Sequence, residues 1–267
     1  MMTAWLNLTK KELRLGVPAF IIPLVAFVLL VAVAAYFGQR AGYPWEAVAI
    51  VALSAIGVQG MYLVYYLLYS LASERKKMHL WLHTPMSGYS LLLAKLVAAL
   101  ISMVITFAIT GLTLMVAVSS VENIPIQIRW MEVADIGLLG SIHIFLIAIN
   151  FAVWFLFFWM IFLLLSRTLS TFLSLIATFF SFIIINVIIY GWFTETAFYR
   201  AITMWGPINL DEILFSLSMT SSLDGGTDVA TETGPLTVYF GFYFTEALFT
   251  LLIFVAACWI LDRKVEV

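Results

Sequence analysis

Between two long apolar stretches the chain reads ERKKMHLWLHTPMSGYSLLLAK, from Glu74 to Lys95. Four consecutive charges, two histidines, a Thr-Pro break and a further lysine gather there, in a chain that is 64% hydrophobic and 10% charged. Such residues can do metal, acid–base or docking chemistry, and spacing decides which. His79 and His83 stand four apart and share a helix face, but no third ligand lies nearby, so a metal site is not expected. His143 beside Ser141 is formally a nucleophile–base pair, yet an isolated histidine near a membrane interface reads as a hydrogen-bonded packing residue. The sequence contains no G-x-x-x-x-G-K-[ST], no H-E-x-x-H and no G-x-S-x-G, so motif-borne nucleotide cradling and hydrolysis find no seat in it. Cys258 is the one cysteine, which rules out an intrachain disulfide.

Docking chemistry remains. With MHLWLHTP as a helix, Met78, Trp81, Leu82 and Pro85 fall at i, i+3, i+4 and i+7 on one apolar face. Lys76, His79 and His83 gather opposite, with Leu80 the misfit. Thr84 precedes a proline and is steered out of helical geometry, so the helix stops near His83. Ser87 can then cap the next helix. A short amphipathic helix fixed between two spans suits the transmission of force from a docked partner. A plain basic loop that holds topology fits the same residues.

Ionisable groups inside a membrane are costly and usually functional. Glu246 lies well inside the last apolar run, and two readings stand: contact with a substrate or gate, or pairing with a polar side chain on another helix. Lys95, near the start of its run, is expected to snorkel to the headgroups. Gln59, Asn150 and Asn186 are expected to bond between helices. An ion-coupled carrier would show more buried charge or broken helices in matching halves, and neither is evident.

These residues must be positioned by membrane helices. A mean hydropathy of +1.08 and so little charge exceed what a soluble core can hide. Six runs are long enough to span, near 17–37, 46–71, 89–118, 136–165, 170–190 and 236–261. The fold class expected is therefore all-α: a single polytopic transmembrane domain over 1–267. AVA at 32–34 resembles a peptidase site, but the long apolar run and its long, mixed-charge lead favour an uncleaved first span. An even number of spans places both termini on one side. Lys10, Lys11, Arg14, Arg75, Lys76, Lys77, Lys95, Arg167, Arg263 and Lys264 then share that side, against Arg40, Arg129 and Arg200 on the other. The positive-inside rule makes the richer side, with both termini, cytoplasmic.

Residues 1–16, with Trp5, Leu6, Leu8, Leu13 and Leu15 around a basic cluster, are expected to form an interfacial helix. Residues 72–88 form the cytoplasmic segment already described. Residues 191–235 are too long for a simple connection. There WFTETAFYRAITMW and NLDEILFSLSM are expected to form two short extracellular helices, with Asn209 and Glu212 as a capping box.

The pattern of Glu74 and Arg75 in a charged turn, Leu80 and Leu82 in a short apolar helix, then Thr84, Pro85, Ser87 and the early Lys95 resembles the membrane subunits of ABC type-2 exporters. The basic start with KKELR and the six spans extend the resemblance along the chain. Where members of the family often carry Gly-Thr-Leu-Glu, this chain has MHLWLH. LWLHTPMSG is similar to permeases of Gram-positive bacteria that export toxic or antimicrobial peptides, such as phenol-soluble modulin exporters, and so bears on antimicrobial resistance. The resemblance implies a permease in a bacterial plasma membrane that moves amphipathic peptides, drugs or lipids outward. It implies a coupling helix at Glu74, Arg75, Met78, Leu80, Trp81, Leu82, Thr84 and Pro85 that docks into a separate ATPase subunit. It also implies a second permease copy or sister permease, with ATP and Mg held by the ATPase and no cofactor in this chain. No enzymatic activity of its own and no nucleic-acid partner are expected. The alternative is a secondary carrier or channel without an ATPase; an intramembrane enzyme comes third.

Overall fold

Six helices are long and apolar enough to cross a membrane in the computed structural model, which describes residues 2–75, 87–121, 130–210, 215–221, 227–233 and 236–265. They run over Val17–Ala41, Pro44–Glu74, Gly88–Ser119, Gly137–Leu165, Thr171–Phe193 and Phe240–Arg263, within a few residues of the six expected runs. The chain is a multi-pass membrane protein.

The helices are α1 (Met2–Leu15), α2 (Val17–Ala41), α3 (Pro44–Val58), α4 (Tyr62–Arg75), α5 (Gly88–Ser119), α6 (Trp130–Leu165), α7 (Thr171–Ile188), α8 (Ala197–Thr203) and α9 (Phe240–Ile260). Local chemistry sets their ends. Gly42 closes α2 at φ +86°, its N–H bonded to the Gly38 carbonyl, the left-handed stop that glycine takes at least cost. Pro44 opens α3 at its first turn, where its missing N–H leaves no bond unmade. A single tighter turn at Gln59–Met61 joins α3 to α4, so the second span is one helix with a changed pitch at its middle. Ser87 caps α5, its side chain accepting from the Ser90 N–H at 3.5 Å, as the sequence indicated.

The chain divides into two compact units. The first comprises Met1–Gln127, Gly140–Phe179 and Thr250–Val267. Its core joins Leu63, Tyr66 and Leu67 of α4 with Leu91, Leu92 and Met103 of α5, Leu156 and Met160 of α6, and Ala257 and Leu261 at the end of the chain. Small residues recur at the contacts, among them Ala98, Ala99, Ala148 and Ala152, all buried. In lipid, helices gain no hydrophobic drive toward each other, and small residues let backbones close to van der Waals range. Asn150 donates to Thr250 at 2.9 Å between helices, as expected. Asn186 departs from expectation: its amide donates to the Phe182 carbonyl one turn back in its own helix, at 2.8 Å. An asparagine on a lipid-exposed face finds its nearest acceptor in the preceding turn.

The second unit comprises Ile128–Leu139 and Phe180–Phe249. The fifth span ends in a widened turn, Thr194 N–H bonding Ile189, and Thr196 caps α8. Phe193 packs edge-on against Tyr199 and Phe249. After α8 the described residues of the expected second helix lie in strands. Here β1 (Pro207–Leu210) pairs antiparallel with β4 (Leu236–Tyr239), and β2 (Phe215–Ser221) pairs with β3 (Thr227–Thr233). Phe215 stands opposite Thr233 and Ser221 opposite Thr227. Asn209 belongs to β1 rather than to a helix cap, and Glu212, its expected partner, lies outside the described residues. FSLSMTS alternates large apolar with small polar residues, the period of a strand, and that period prevails over the local capping signal.

Gly16 tests the packing of the first unit. A methyl group there would strike the hydroxyl end of the Tyr66 ring, which is fully buried. Gly16→Ala should lower stability in detergent by about 1–3 kcal/mol, the cost of overpacking, whereas Gly57→Ala, with open space around it, should leave the thermal midpoint unchanged or raised.

Candidate functional site

Lys95 was expected to snorkel; it is instead completely buried. Its Nζ lies 2.6 Å from Glu12 Oε2, 2.6 Å from Glu74 Oε2 and 2.9 Å from the Ser70 hydroxyl. Lys11 completes the cluster at 2.8 Å from Glu74 Oε1 and 3.7 Å from Glu12 Oε1. Two ammonium groups and two carboxylates make it neutral. Its position, not its strength, explains the failure of the snorkelling expectation: a lysine side chain climbs to the headgroups only when nothing nearer answers its charge, and here α1 and α4 answer it.

The sequence signal for this arrangement lay in α1. Trp5, Thr9, Glu12 and Gly16 recur at i, i+4, i+7 and i+11, a single face. Thr9, Glu12 and Gly16 are buried, and Leu6 is exposed. The most deeply buried face is therefore the polar and small one, with Leu8 and Leu13 half-buried against the core at its flanks. Glu12 is held further by its neighbours: the Tyr66 hydroxyl donates to its carbonyl at 3.2 Å, and Ser70 donates to Oε2 at 3.2 Å. Trp5 Nε1 donates to the Ser90 carbonyl at 3.2 Å, tying the start of α1 to the first turn of α5.

A second contact fixes that turn. The Gly88 N–H donates to Asp262 Oδ1 at 2.6 Å, placing a carboxylate on the N-terminus of α5, where the helix dipole favours it. A Cβ at Gly88 would collide with the same carboxylate. Both ends of the segment 76–86 are thus anchored: Glu74 at its entry in the four-charge cluster, and Ser87 to Lys95 at its exit by the cap, Asp262, Trp5 and Glu12.

Of the sequence-predicted coupling residues, Glu74 joins this frame and Arg75 ends α4. Met78, Leu80, Trp81, Leu82, Thr84 and Pro85 lie outside the described residues, as do His79 and His83. Glu246 is in the other unit, half-buried on α9 with Tyr199 of α8 as its hydrogen-bond partner, which is the pairing alternative. Among the described residues, no group of three His, Cys, Asp or Glu could hold a metal.

Burial works against the Lys11 ammonium, but the Glu74 carboxylate bonded to it, with Glu12 beside, holds its pKa above the ordinary lysine value. The stability it contributes is in place below that ordinary value and is lost as pH rises through the raised one. Comparison with models of protein families, with curated proteins and with solved structures finds no match.

Removing one member of a buried ion pair strands the other, at about 3–5 kcal/mol. Lys95→Met should therefore destabilise the folded chain by that amount in detergent. The double change Glu12→Met with Lys95→Met leaves Lys11 and Glu74 as a neutral pair and should recover most of the loss. Lys11, largely exposed, should matter far less, with Lys11→Ala costing under about 1 kcal/mol.

Proposed function

We propose that this chain is the permease subunit of an ATP-driven exporter, with both termini cytoplasmic, energised by a separate ATPase at residues 74–85. One observation supports this reading above others: the segment between Arg75 and Ser87 springs from a frame that is locked at both ends. A displacement applied to it would reach α1, the second and third spans, and through Asp262 the end of the last span, without being absorbed in slack side chains. A loop that merely held topology would need basic residues and no such frame. With Lys11 and Lys95 neutralised in the cluster, the remaining basic residues still divide eight to three in favour of the same side, and the segment faces the compartment that contains ATP.

In this reading the apolar residues Met78, Trp81 and Leu82 enter a groove on the ATPase. ATP and Mg bind to that partner, and closure of the ATPases moves the segment and shifts the spans between inward and outward states. A second copy or a sister permease completes the pathway. Amphipathic peptides, drugs or lipids enter from the cytosol or inner leaflet and leave on the far side.

Trp81→Ala should weaken ATPase association about thirtyfold, the worth of a truncated aromatic anchor at about 2 kcal/mol, with the permease still inserted. Lys76→Ala should leave association unchanged. Co-purification of ATPase with each variant and substrate-stimulated hydrolysis in nanodiscs measure both. Equal behaviour of the two variants reduces the segment to a topology element, and transport by the chain with no ATPase present assigns it to the secondary carriers. Glu246→Gln retains an acceptor for Tyr199 and removes the charge; it should slow transport while leaving the fold intact. Unchanged transport would limit Glu246 to packing.

A further inference from the structure

The Glu12 and Lys95 cluster is not the only polar group sealed within the spans. Gln59 lies at the midpoint of the second span and Thr106 near the middle of the third, and both are more than nine-tenths buried. The Thr106 hydroxyl donates toward Gln59 Oε1 at 3.3 Å, but its one proton also faces the carbonyls of Ser102 at 3.2 Å and Met103 at 3.0 Å. Among the described residues Gln59 has no other side-chain partner. Whichever way the amide is turned, one contact serves a group with two donors and an acceptor. Tyr62, one turn on, is also buried; its hydroxyl faces Thr106 without a well-formed hydrogen bond to it. Donors left unmade at mid-bilayer cost several kcal/mol each, because no water is there to meet them.

These groups line a cavity of about 620 Å³ between α2, the second span and α5. Its walls are apolar: Pro23, Phe27, Val51 and Ala55 among them, with Thr110 beside Thr106 on the polar side. Its rim includes Ile22, Leu30, Ile50 and Val58, all exposed. Pro23 withholds one backbone bond inside α2, a position at which helices bend. The volume is that of a small-molecule site, and so is the composition, apolar walls with a few polar groups that fix orientation.

We infer that this cavity binds a neutral, apolar small molecule carrying one carbonyl-type acceptor, with the acceptor seated on the Gln59 amide and Tyr62 hydroxyl. No charged residue lines the cavity, so an ion would enter without a counter-charge. A phospholipid tail would fill the walls and leave the midplane donors unmet, since its ester groups stay at the interface. The missing partner is therefore an acceptor deep in the bilayer. The inference stands apart from the transport reading, and its test needs no ATPase.

The probe is 4-octylbenzophenone, whose ketone is both acceptor and photoreactive group. The full chain in phosphatidylcholine nanodiscs is illuminated with increasing probe, and labelled peptides are quantified. Labelling should saturate and concentrate on residues 22–30 and 50–62. Gln59→Leu should raise the half-saturating concentration by up to about tenfold, the worth of one hydrogen bond. Ala55→Phe, which fills the cavity, should remove the saturable component while size-exclusion profile and helicity stay as in the parent. Thr113→Val, on α5 but outside the cavity lining, should label as the parent does. Labelling that rises linearly and spreads over all lipid-facing spans would overturn the inference. So would saturable labelling indifferent to Gln59→Leu, because the polar groups would then recognise nothing.

Discussion

An ammonium with no exposure inside a helix bundle has to be answered by charge, and Lys95 is answered by Glu12 from α1 and Glu74 from the end of the second span. Everything at this end of the first unit follows from that need. Glu12 reaches Lys95 only if α1 lies against α5 with its small, polar face inward. That places Gly16 under the Tyr66 ring and the Trp5 indole on the Ser90 carbonyl. Glu74 reaches it only if α4 runs helical to its last turn. The cluster contributes little net stability against an apolar replacement of the same volume. What it supplies is register, since an apolar core would tolerate α1 sliding by a turn and the charges do not.

The two sealed polar groups obey opposite logic. The charge cluster is closed, with each charge met by its counterpart, and it holds helices together. The Gln59, Thr106 and Tyr62 group is open, with donors unspent beside empty apolar space, and it is suited to receive something from outside. Both lie on α5, the span with the largest buried share. This helix therefore carries the fixed and the adaptable polar chemistry of the unit on one rod.

The six spans were legible because length and apolarity are properties of a single stretch of chain. So were the Ser87 cap and the Asn150 bond, which follow from residue type and position. The Lys95 pairing was not, because its partners lie 83 residues away in Glu12 and at Glu74, and sequence order does not say which helices become neighbours. The contact face of α1 was not legible for a related reason: the Thr9, Glu12 and Gly16 stripe is a face only in relation to α4 and α5, which lie far along the chain. Between the fifth and sixth spans two local signals competed. Asn209 with Glu212 has the form of a helix start, whereas FSLSMTS carries the two-residue alternation of a strand. Cross-strand pairing to 227–233 decided between them, and pairing is non-local information.

The Asp262 carboxylate on the Gly88 N–H has a consequence in time. The two groups are separated by 174 residues, which a ribosome adding about 5–20 residues per second covers in roughly 9–35 s. Lys95 meets no such delay, since both its carboxylates are already synthesised when it emerges. The nascent chain can thus neutralise its buried lysine at once, yet it must hold the start of α5 unfinished until the final helix arrives. A chain halted anywhere before Asp262 would have only the Ser87 cap at this helix end and would leave the Gly88 N–H without its carboxylate.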